Sequence, residues 1–163
     1  MPAKTSQLQI RISPKDKARL RKLATGAGMD VSSYLLSRAL PDEAGRFAAL
    51  TAELAETETP AFVFAELHDL LSRCAAVDFP VLVETAPPAR LVAWRANYLA
   101  AMVETAAHRV GLAPPAWAAS VAPLETPWFA TPLGTLRPYL LRVSPPAFKR
   151  RNLFIDTTLD GRQ

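Results

Sequence analysis

A single cysteine among 163 residues leaves no internal disulfide to form. Cys74 sits in an apolar helical stretch, where it reads as a small buried hydrophobe rather than a reactive thiol. Glycine is scarce, six residues in all, and none builds a phosphate-cradling loop or a Gly-x-Ser-x-Gly elbow. His68 and His108 lie far apart and belong to no Cys/His cluster, so no metal site is expected. No apolar run reaches the roughly 18 residues that a membrane span requires. The opening MPAKTSQLQ has no apolar signal core, so the expectation is a reduced cytoplasmic protein without a membrane partner. No catalytic arrangement emerges. The expected protein is not an enzyme and takes no cofactor.

What the chain does have is proline and a sharply uneven distribution of charge. Eleven of its fifteen prolines fall between Pro80 and Pro146, which predicts short helices joined by stiff corners. Half the residues are apolar, enough for a packed core. Residues 1–40 carry eight Lys or Arg against two acids, residues 41–85 two against nine, and residues 86–163 nine against four. The first block suits a polyanion, and the second repels one. A change of sign at residue 41 predicts a change of task, hence two domains, 1–40 and 41–163.

Residues 7–13 alternate polar and apolar without a fault. Period two predicts a strand with Leu8, Ile10 and Ile12 on one face and Gln7, Gln9 and Arg11 on the other. Ser13-Pro14 reads as the cap and first residue of a helix, with Asp16 at the positive end of its dipole. Leu20, Leu23, Ala24 and Ala27 follow helical spacing, and Thr25-Gly26-Ala27-Gly28 stops the helix. Asp30 caps a second helix that carries Val31, Leu35 and Ala39 on one stripe and ends before Pro41. Further helices are predicted over 42–56, 61–77 and 88–110. Shorter ones are predicted near 115–121, 133–142 and 145–151, followed by an extended piece, 152–156.

A lone strand with one apolar face needs a partner, and no second strand of matching pattern lies within hairpin reach. The same strand from a second copy, paired antiparallel about a two-fold axis, solves the problem. Leu8, Ile10, Ile12, Leu20, Leu23, Val31 and Leu35 then form the dimer core. The two-stranded ribbon presents Gln7, Gln9 and Arg11 twice over. Such a ribbon fits the major groove of DNA, where Gln pairs with adenine and Arg with guanine through two bonds each. The start of the second helix, Val31, Ser32 and Ser33, offers N–H groups and hydroxyls to a phosphate, and Lys4 adds attraction.

The run QLQIRISPKDKARLRKLATGAGMDVSSYLLSRAL resembles the ribbon-helix-helix DNA-binding family, and within it the antitoxins of bacterial toxin–antitoxin operons. The pattern Gly-x-x-Val-Ser between the helices stands here as Gly28-Met29-Asp30-Val31-Ser32. The resemblance covers about a quarter of the chain. It implies an intertwined dimer, or a higher even oligomer, that reads a palindromic operator with Gln7, Gln9 and Arg11 and clamps phosphate with Val31, Ser32 and Ser33. It further implies a cognate toxin as the partner of the remainder. The expected fold is mainly α: the ribbon-helix-helix module, then an all-helical partner-binding domain. The competing expectation is a stand-alone repressor whose helical domain senses an effector or builds an oligomer. Lys149-Arg150-Arg151 is expected to be a solvated helix end, and Trp94, Trp117 and Trp128 are expected in the core.

Overall fold

The computed structural model describes residues 9–39 and 42–156. The chain divides into two compact units, Met1–Asp42 and Glu43–Gln163, and its described residues are mainly helical. None of their helices is long and apolar enough to cross a membrane.

In the first unit, α1 spans Pro14–Gly26 and α2 spans Val31–Ala39, and the two pack together. The Ser13 hydroxyl oxygen accepts from the Asp16 N–H at 3.1 Å and the same hydroxyl donates to the Asp16 carboxylate at 2.6 Å, as a capped first turn requires. At the other end Gly28 takes φ +67°. Its N–H reaches the Thr25 carbonyl, and the Met29 N–H reaches that of Ala24. This is a Schellman closure, and the left-handed backbone it needs favours glycine.

The second unit begins with α3, Glu43–Glu56, and α4, Pro60–Arg73. The three-residue link makes them an antiparallel pair. A single turn, α5 (Phe79–Leu82), leads to the long α6, Ala93–Arg109. Leu99, Ala100, Ala101, Val103 and Ala107 of α6 are wholly buried, so this helix forms the centre of the unit. Against it lie α4, α7 (Ala116–Ser120) and α9 (Pro146–Lys149). Between α7 and α9 come β1 (Trp128–Phe129), a turn of 3-10 helix at Gly134–Leu136, and α8 (Arg137–Val143). The last element, β2 (Leu153–Phe154), pairs in parallel with β1, Trp128 opposite Leu153 and Phe129 opposite Phe154.

Four expectations need correction. The second unit is not all-helical, because β1 and β2 form a short sheet. The helix predicted from residue 88 starts only at Ala93: Pro87 and Pro88 sit in the corner before it, and Val92 at its cap is extended. The helix predicted to run to residue 77 ends at Arg73, with Cys74 extended. The turn α5 was not anticipated at all, since four residues are too few to show a period.

Arg151 is a further correction, and the most consequential. It is 5% exposed, not solvated. Its Nη2 donates to the Glu104 carboxylate at 2.5 Å and to the Ala118 carbonyl at 2.6 Å. Its Nη1 donates to the Val121 carbonyl at 2.9 Å and to Asn97 Oδ1 at 3.3 Å. Asn97, also buried, donates to the carbonyls of Ala93 and Ala122. One guanidinium thus ties α6 to α7 and the corner after it, from a position two residues before β2. Arg150, next in sequence, is the solvated neighbour: it reaches Glu104 only at 3.5 Å, with its side chain 71% exposed.

Candidate nucleic-acid interface and an aromatic cavity

Gln7, Leu8 and Lys4 lie outside the described residues. Gln9, Ile10, Arg11 and Ile12 are exposed and carry no regular secondary structure in the single chain. The strand expected there has no antiparallel neighbour among the described residues. Of the expected dimer core, Ile10 is 61% exposed, Ile12 46% and Leu23 45%, whereas Leu20, Val31 and Leu35 are half-buried. The residues that one protomer does bury are Ala24 and Tyr34. Tyr34 was missed as a core residue, although it stands on the same helical face as Val31, three positions on. Arg38 lies over its ring at 5.5 Å.

Five cations of α1, namely Lys15, Lys17, Arg19, Arg21 and Lys22, are all exposed. None of them is paired with a carboxylate in a salt bridge among the described residues. This gives the unit a concentrated positive surface.

The expectation of free N–H groups at the start of α2 is corrected in part. Ser32 N–H and Ser33 N–H both donate to Asp30 Oδ1, at 2.9 and 3.0 Å, and the Ser33 hydroxyl donates to Oδ2 at 2.5 Å. Asp30 supplies its own anion to the positive end of the helix, so an incoming phosphate has to displace it.

The second unit holds a different feature, a half-open cavity of about 650 Å³ lined by α4 and α6 together with Trp128, Ala130, Pro145, Phe148 and Ile155. Phe64 and Tyr98 approach at 4.3 Å between ring centroids, Tyr98 meets Phe148 edge-on at 5.1 Å, and Trp94 stacks on Trp128 at 5.3 Å and 6°. These five rings form one continuous wall. Trp94 and Trp128 are thus half-buried, packed against the core as expected, and line the cavity as well. Trp117, also half-buried, anchors elsewhere and donates its indole N–H to the Val83 carbonyl.

Farther along the same groove the lining turns polar. His68, Asp69 and Ser72 come from α4, and Thr105 and Arg109 from α6. Arg109 donates to the carbonyls of Leu71 and Cys74, orphaned at the end of α4. This end of the cavity was not legible in sequence. His68 and Asp69 are 37 and 36 positions from Thr105 and only the packing of α4 on α6 joins them.

The acids of 42–84 are partly neutralised: Glu43 pairs with Arg73, Glu56 with Arg90 and Glu66 with Arg46. Cys74 is buried, and burial pushes its thiol up, helped by Glu43 and Asp78 and opposed by Arg109. It stays a neutral thiol near neutral pH and so a poor nucleophile. Among the described residues no three His, Cys, Asp or Glu converge as a metal-binding group. No protein-family model, no curated protein and no solved structure matches this chain.

Proposed function

We propose that this chain is a bacterial, cytoplasmic antitoxin of the ribbon-helix-helix kind. Its N-terminal segment pairs with that of a second copy, and the ribbon reads a palindromic operator through Gln7, Gln9 and Arg11. Phosphate contacts come from Lys4 and from the exposed cations of α1. Val31, Ser32 and Ser33 add theirs where the Asp30 carboxylate yields its place to a phosphate. The second unit binds and neutralises a cognate toxin.

The observation that carries this reading is the exposure of Ile10, Ile12 and Leu23 beside a strongly basic helix. Three large apolar side chains at the alternating and helical positions of one small unit call for a second copy to cover them. The strictly alternating pattern at 7–13 supplies the polar face that then meets DNA.

A second reading, a stand-alone repressor whose second unit senses an effector, is favoured by one observation. The aromatic cavity is of the size that small molecules fill.

Co-expression separates the two readings. The full chain is expected to form a stable complex with the product of the adjacent reading frame and to relieve the growth arrest that product causes alone. A harmless neighbour that does not co-purify would overturn the antitoxin reading and leave the repressor.

A further inference from the structure

We propose that the cavity between α4 and α6 is a binding site for a flat, fused-ring aromatic molecule. Such a molecule bears a polar group that both donates and accepts hydrogen bonds, such as a hydroxyl or carboxamide. This deepens the effector-sensing reading of the second unit, and it depends on neither DNA nor toxin.

The volume, about 650 Å³, falls in the range of small-molecule sites, roughly 300–1,000 Å³. The occupant's body follows from the wall. Five aromatic rings from four parts of the chain present faces and edges to one space, and the parallel Trp94–Trp128 stack makes part of it flat. Flat aromatic molecules gain most from such surfaces, through offset stacking and edge-to-face contact.

The direction in which the molecule lies follows from α4 and α6. Phe64 meets Trp94 and Tyr98, while Leu71 and Cys74 meet Arg109, so the two helices run the same way along the groove. One end is therefore aromatic, and the other carries Asp69 and Arg109. The Asp69 carboxylate makes no side-chain hydrogen bond or ion pair among the described residues. Arg109 donates to two carbonyls and has no carboxylate partner in a salt bridge among them. One acceptor and one donor of opposite charge suit a neutral polar group that does both, better than a full charge of either sign.

The probe is 2-naphthol, titrated calorimetrically into the full chain with no DNA present. Saturable one-to-one binding is expected, with a Kd of about 0.1 mM for a ligand of this size. Ala65 lines the cavity from an exposed position on α4, so Ala65→Trp fills the space without removing a core group. It is expected to weaken binding by at least about tenfold. Ala61→Trp fills the same space and serves if the first variant loses the wild-type helical circular dichroism. Asp69→Ala is expected to weaken 2-naphthol by about tenfold, the loss of one charge-assisted bond. Absence of saturable heat up to about 1 mM, or undiminished binding by a folded filled variant, would overturn the proposal. Either failure leaves operator binding untouched, and a loss of operator binding leaves this site untouched.

Discussion

Arg151→Met is expected to destabilise the second unit by about 3–5 kcal/mol, the cost of breaking a buried ion pair from one side. For a chain of this length that lowers the melting temperature by about 10 °C. The size follows from what is left behind. Glu104, whose side chain is 13% exposed, retains only the distant Arg150, and the carbonyls of Ala118 and Val121 lose their donor. A methionine of similar length fills the volume, so packing loss is a minor part of the effect.

The other ion pairs set the contrast. Arg90–Glu56, with side chains 64% and 67% exposed, is worth at most about 1 kcal/mol. Adding Glu104→Gln to Arg151→Met is expected to restore part of the loss, because the uncompensated charge is removed. Denaturant titration reads both. A loss under about 1 kcal/mol for Arg151→Met would mean that the guanidinium is solvated, as the sequence alone suggested.

If the proposed dimer forms, Ile10→Asp is expected to convert it to monomer and abolish operator binding together. A carboxylate placed in the shared core twice per dimer has neither water nor partner, at a cost of several kcal/mol per copy. Even 4 kcal/mol in total raises the dimer Kd about 10³-fold. Sedimentation equilibrium at a concentration where the wild type is dimeric provides the reading. In a single chain Ile10 is 61% exposed, so the isolated protomer tolerates the substitution. A soluble, dimeric Ile10→Asp protein would mean that Gln7, Gln9 and Arg11, not the isoleucines, face inward.

What the sequence revealed of the fold was whatever local chemistry decides. Ser13-Pro14 started a helix, Gly28 ended it, and Asp30 started the next, each through bonds spanning at most five residues. The amphipathic stripes of α3, with Phe47, Leu50 and Leu54 buried, were equally plain. Long-range pairing was not legible. Leu153 and Phe154 read as an extended piece, but nothing local assigned them to Trp128 and Phe129.

Arg151 was misread for the same reason. Lys-Arg-Arg after a short helix looks solvated until α6, 47 positions earlier, places Glu104 against it. The aromatic cavity likewise depends on four separate segments meeting. At the N-terminus the limit is different: Ile10 and Ile12 alternate as core residues do, yet in a single chain they are exposed, and only the proposed second copy would cover them.

The most direct test of the central claim compares wild type and Arg11→Ala on two duplexes, at one salt concentration near about 0.15 M. One duplex is the DNA immediately upstream of this chain's own reading frame, and the other is unrelated and of equal length. The wild type is expected to prefer the upstream DNA by about 10³-fold or more. Arg11→Ala, still a dimer, is expected to lose most of that preference. Two bidentate base contacts disappear per dimer, at about 1–3 kcal/mol each. An Arg11→Ala protein that binds the upstream DNA as tightly and as selectively as the wild type would contradict the account.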